Sequence, residues 1–147
     1  NLDELIRIGR EIKWKLNESP ESKSQADSRL NGIYGTIIFE QLGCDSNQLH
    51  QRNVTIYADG RVDRSPCGSG TAARIAQLWH EGKLTTEMTL VHDSIIGSRF
   101  LGKIDSVGTQ DGVEGVIPVI SGTAHHSATS EFVYYDQDDL GTGFSLR

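Results

Sequence analysis

The chain has 147 residues, enough for one domain with a sizeable core, and 36% of them are hydrophobic. Its 14 basic and 20 acidic residues leave a formal charge of -6, the wrong balance for gripping nucleic-acid phosphates. Two cysteines are too few for a disulfide framework, and no apolar run approaches the ~18 residues that cross a bilayer, so a reducing, cytoplasmic setting is expected.

Residues 2–16 carry an apolar stripe at helical spacing, with acids at the start and lysines at the end, as a helix dipole prefers. Residues 17–31 are nearly all polar and read as a linker running over a surface. β-like runs follow at 33–39 and 53–58, the second closed by an Asp59-Gly60 turn, with a polar, turn-like stretch at 43–51 between them. Residues 71–82 spell a helix with a glycine stop, apolar round much of its circumference from Ala72 to Trp79, which predicts a central, buried position. Further strands are expected at 88–91, 95–104, 116–120 and 132–135. The fold class is therefore α+β: a strongly curved, mainly antiparallel sheet around a central buried helix.

The segment Asp63-Arg-Ser-Pro-Cys-Gly-Ser-Gly-Thr71 joins a strand to that helix. Ser65-Pro66 reads as an N-cap followed by a proline at the first helical position. Cys67 then falls in the first turn, where unpaired N–H groups and the helix dipole favour a thiolate. The N–H groups of Gly68, Ser69 and Gly70 can hold a carboxylate, and Asp63 can hold an amine. Together they describe an α-amino acid bound for proton abstraction. The plainer alternative is a glycine turn around an inert cysteine.

The run from Asn53 through Thr71 to Arg74 resembles the second catalytic segment of the proline racemase family, which includes 4-hydroxyproline epimerases and trans-3-hydroxyproline dehydratases. Further matches follow in order: Gly82-Lys-Leu84, Asp93-Ser-Ile-Ile-Gly-Ser-Arg-Phe100, Val119-Ile-Ser-Gly-Thr-Ala124 and Gly143-Phe144. The resemblance implies a diaminopimelate-epimerase-like lobe, the second of two, with the substrate between two helix N-termini. It also implies cofactor-independent chemistry in which two cysteines serve opposite faces of Cα. On this match Cys67 is the second-lobe cysteine, and Asp63 holds the ring amine. Gly68, Ser69 and Thr71 lie around the carboxylate, and Tyr57 occupies an aromatic position that packs on the ring.

The first-lobe motif, a cysteine followed by Gly-His-Gly, is absent from the chain. Residues 1–16 are thus expected to lead in from a missing first lobe, 17–31 to link, and 32–147 to form the second lobe, inactive alone. The opening, without methionine or secretory signal, reads as the continuation of something longer. The expected partners are a cyclic amino acid such as proline or hydroxyproline and the missing lobe; a homodimeric parent stays open. Neither cofactor nor metal is expected. Adjacent His125 and His126 point to opposite faces of a strand, Gly68-Ser-Gly70 lacks a phosphate-gripping lysine, and Asp136, Asp138 and Asp139 lack calcium-loop spacing. Cys44 reads as a loop or packing thiol. A dehydratase lobe and a non-catalytic binding domain are the alternatives. Cysteine at 67 favours inversion, since the family's dehydratases often carry threonine there.

Overall fold

The computed structural model describes residues 1–24, 27–110, 112–141 and 143; of the expected features, Phe144 and, in the linker, Gln25 and Ala26 lie outside the described residues. Helix α1 (Leu2–Asn17) is capped by Asn1, whose side chain accepts from the Asp3 N–H. It lies across the sheet at Gly9, where a Cβ would sit 3.0 Å from Ile56. The Thr36 hydroxyl donates to the Gly9 carbonyl (3.0 Å). Asn17 clasps the helix end to the following chain, donating to the carbonyls of Lys13 and Ile33 and accepting from the Ile33 N–H. Two single 3-10 turns, Pro20–Ser22 and Ser28–Leu30, occupy the linker.

Strands β1 (Gly35–Cys44) and β2 (Gln48–Tyr57) form an antiparallel hairpin with a bulge at Leu42. A tight turn then leads to the short β3 (Arg61–Val62), which pairs back onto β2. Helix α2 (Gly68–His80) carries the chain across to β4 (Thr89–Ser94), which lies parallel to β2. A parallel pair needs such a crossover, and a helix commonly provides it. Strands β5 (Arg99–Gln110) and β6 (Val113–Ser121) complete an antiparallel meander, giving the order β1-β2-β4-β5-β6. The sheet curls into a half-barrel with one parallel pair, as the mainly antiparallel expectation requires. Leu49, Ile75, Leu78, Leu84, Met88, Leu90 and Ile104 form the core between α2 and the sheet.

Strand β2 is buried on both sides. Val54 and Ile56 turn toward α1, whereas Asn53 reaches Pro66, beside the start of α2, and Gln51 reaches Arg74 on α2. This two-sided role positions the site, because Thr55 and Tyr57 at the end of β2 line it.

Several sequence expectations are corrected. Helix α2 is the more buried of the two helices, yet only Thr71, Ile75 and Leu78 are fully enclosed; Ala73, Gln77 and His80 are exposed, so its cover is a stripe. The polar stretch 43–51 is mostly strand. Its turn is confined to Asp45–Asn47, where Asp45 accepts from the N–H groups of Asn47 and Gln48 (2.8 Å each). Gln51 tolerates burial because its amide is paired with Gln41 and Arg74. Residues 95–98 form a turn with Gly97 at φ 84°, delaying β5 to Arg99. Residues 132–135 form no strand: their side chains are all exposed, and an isolated extended run gains nothing without a neighbour. No helix among the described residues is long and apolar enough to cross a membrane.

Candidate functional site

The start of α2 differs from the expected cap. Cys67 itself is the N-cap, at φ 68° and ψ 120°, and Gly68 is the first helical residue. Its sulfur accepts from the Gly70 N–H (3.4 Å) and lies 3.5 Å from the Ser69 hydroxyl. Ser65 and Pro66 stand outside the helix. The Ser65 hydroxyl accepts from the Cys67 N–H (3.1 Å), and Asp63 accepts from the Ser65 N–H (2.8 Å). The approach is thus a chain of side-chain-capped turns, because Asp and Ser compete well for nearby N–H groups. Gly70 lies close under Ile37 of β1, whose terminal methyl would have to move to admit a Cβ there.

Tyr57, Asp63, Cys67, Ser69 and Gly70 meet in one open cleft of about 270 Å³, together with Tyr34, Gly35, Ile37 and Thr55. Gly68, the first residue of α2, is exposed and is not among the residues that line this cleft. The first-turn N–H groups of Gly68 and Ser69 have no carbonyl four residues back to reach. Thr71 does not join the cleft. It is wholly buried, its hydroxyl pairs with His92, and its N–H donates to the Cys67 carbonyl (2.8 Å). The expected Thr71 contact to a carboxylate is corrected on that ground.

Sequence reasoning missed four residues. Tyr34 stacks near Tyr57 with ring centroids 6.0 Å apart. Thr55 lines the cleft floor, and its buried hydroxyl has no partner among the described residues. Asn53 and His92 lie beneath the cap, where the Asn53 amide nitrogen reaches the Pro66 carbonyl (2.8 Å) and His92 Nε2 (3.0 Å). Counting back from Tyr57 in twos along β2 gives Thr55 and Asn53, so strand alternation was the available signal. Tyr34 and His92 have no comparable signal.

Two ionisable groups near the site are strongly perturbed. Burial pushes the His92 pKa down to about 4, and the charge of Arg74 adds to the effect. Hydrogen bonding from Arg99, seconded by His50, holds Asp93 down at about 2. Arg99 grips Asp93 with two nitrogens (2.6 and 2.9 Å) and so fastens the β4–β5 hairpin next to its turn. The Asp93-to-Phe100 motif is therefore a structural clasp here.

Cys44 is exposed at the end of β1, far in sequence from any helix start. His125 and His126 are exposed, and His126 lies 3.3 Å from the Thr129 hydroxyl. Asp138 caps its own turn through the Leu140 N–H (3.0 Å). Among the described residues no three His, Cys, Asp or Glu side chains gather closely enough to hold a metal ion.

A sequence profile described as Proline racemase matches residues 1–145. A trans-3-hydroxy-L-proline dehydratase of Bacillus thuringiensis is 41% identical over 138 residues, covering 94% of this chain and 41% of its own length. A 3-hydroxyproline 2-epimerase of Burkholderia multivorans is 37% identical over 146 residues, covering 99% of this chain and 43% of its own length. The crystal structure of a hydroxyproline epimerase from Agrobacterium vitis, with trans-4-hydroxy-L-proline bound, superposes with a TM-score of 0.79 at 28% identity, over 97% of this chain and 40% of that one. The chain spans about two-fifths of the length of the curated relatives it matches.

Proposed function

Since the chain belongs to the proline racemase family, we propose that it is the cysteine-bearing lobe of a two-lobed enzyme that inverts Cα of proline or a hydroxyproline. Cys67 exchanges the α-proton on one face, a cysteine of a first lobe serves the other, and no cofactor takes part. Asp63 holds the ring amine, the N–H groups of Gly68 and Ser69 hold the carboxylate, and Tyr57 covers the ring, while the Gly70 N–H is given to the Cys67 sulfur. Residues 1–16 lead in from the first lobe, 17–31 connect, and 32–147 form the second lobe. The protein works in the cytoplasm, where its two free cysteines stay reduced.

The observation that carries this reading is the meeting of Cys67, a helix N-terminus, Asp63 and Tyr57 in one cleft. A sulfur near Cα, an anion for the amine and N–H donors for the carboxylate are what α-proton abstraction from an amino acid needs. The 41% identity to a trans-3-hydroxy-L-proline dehydratase favours a second reading, in which loss of the α-proton is followed by loss of the β-hydroxyl as water.

The test is proton NMR in deuterium oxide with L-proline, trans-4-hydroxy-L-proline and trans-3-hydroxy-L-proline, using the chain assembled with a first lobe. Deuterium at Cα with appearance of the epimer supports inversion. Consumption of trans-3-hydroxy-L-proline to a cyclic imine supports the dehydratase. Absence of exchange in all three supports a non-catalytic domain and ends the enzyme reading.

A further inference from the structure

Below the cleft, four buried residues close a hydrogen-bonded ring that no step above uses. Asn53 comes from β2, His92 from β4 and Thr71 from α2, and all are at most 2% exposed. The Asn53 amide nitrogen can only donate, so His92 Nε2 accepts from it (3.0 Å) and the ring proton resides on Nδ1. That Nδ1–H then donates to the Thr71 hydroxyl (3.0 Å), whose own hydrogen points to the Pro66 carbonyl (3.4 Å). The second Asn53 N–H ends on the same carbonyl (2.8 Å). Two donors from different elements therefore converge on one oxygen.

That oxygen belongs to the peptide joining Pro66 to Cys67. The peptide is planar, so fixing its carbonyl also fixes the direction of the Cys67 N–H. Cys67 sits at φ 68°, a conformation that is strained for a non-glycine residue and persists only where the surroundings over-determine it. The ring has a cost of its own: Asn53 Oδ1 is buried without a partner among the described residues. An amide retained on those terms is serving its nitrogen.

We infer that the Asn53–His92–Thr71 ring is a positioning device for Cys67, holding the Pro66–Cys67 peptide so that the sulfur stays at the mouth of α2. The inference rests on the catalytic reading of Cys67 and assigns to the ring residues no contact with substrate. Desolvation keeps His92 neutral at neutral pH, so Nε2 remains able to accept from Asn53, whose donor nitrogen selects that tautomer.

The test uses the chain assembled with a first lobe and compares His92→Leu, His92→Gln and His92→Asn. Leucine removes both bonds, glutamine can keep the one to Asn53, and asparagine can keep the one to Thr71. The expected result is a kcat at least tenfold lower for His92→Leu with KM within twofold, and intermediate values for the other two. A second readout is alkylation by iodoacetamide, in which exposed Cys44 serves as the internal reference; the Cys67-to-Cys44 rate ratio shifts at least threefold in His92→Leu. If His92→Leu does not fold, Thr71→Val, which keeps the outline and loses only the hydroxyl, carries the same expectations. A folded variant with kcat and alkylation ratio both within twofold of the parent overturns the inference. Cys67→Ser run alongside separates the two failures: retained turnover there overturns the catalytic role of Cys67, whereas kcat and alkylation ratio both unmoved in His92→Leu overturn the ring.

Discussion

His92 is a titratable residue held where it does not titrate at neutral pH. Free histidine takes up a proton near pH 6.5, but in the folded chain burial delays this to about 4. Between those values the unfolded state binds more protons, so the contribution of His92 to stability is full above pH 6.5 and falls as pH drops toward 4. By linkage the loss at pH 5 is on the order of 2 kcal/mol. Asp93 acts lower. Its folded pKa of about 2 lies below the free value of 3.8, so its contribution is present above that free value and is lost as pH falls through the folded one. Urea unfolding at pH 7.5 and pH 5 therefore isolates the histidine. The parent loses about 2 kcal/mol between the two, and His92→Gln loses little. An equal loss in both would assign the acid sensitivity to another group.

At the scale of elements, α2 is seated by a close approach to β5. A Cβ at Gly102 would lie 2.5 Å from Ile75 Cδ1, and Ile75 is completely buried. Gly102→Ala is expected to destabilise the fold by about 1–3 kcal/mol, because a packed core has no room for an added methyl. Ile75→Val removes the atom that is struck, so the double variant recovers part of the loss. Purely additive losses in a denaturation cycle would show that the two sites do not touch. The same helix shows what the sequence makes legible. Its apolar spacing and Gly82 stop predict its extent closely, and the Asp63–Thr71 run contributes Asp63, Cys67, Ser69 and Gly70 to the cleft but not Thr71, which is buried beneath it. The identity of the cap was not legible, because Ser65-Pro66 satisfies every local rule for a helix start. The chain enters later because tertiary bonds to the Pro66 carbonyl hold that residue outside the helix. The strand at 48–51 was hidden for a related reason. Polar side chains look loop-like until a partner such as Gln41 or Asp93 appears across the sheet. Residues 132–135 show the converse, since a run of aromatic and β-branched residues alone does not make a strand.

In the whole molecule, the half-barrel brings the Cys67 sulfur to the start of α2. The four side chains at 132–135 remain exposed, from 63% for Val133 to 78% for Phe132, an apolar surface of the kind that marks an interaction site. Inversion needs a proton taken from one face of Cα and another delivered to the opposite face. A rigid helix end addresses one face only, and positioned acid–base groups act through closed, oriented geometry. This chain alone is therefore expected to give no detectable inversion of any proline derivative, and polarimetry with a first lobe added should restore it. Exchange measured separately on the two enantiomers tests whether Cys67 is the base for one face. In the assembled protein, Cys67→Ser should abolish inversion in both directions. It should also slow deuterium entry at Cα by roughly a hundredfold or more for one enantiomer, while the other still meets the opposing cysteine. Exchange and inversion of both enantiomers within tenfold of the parent would exclude Cys67 as that base.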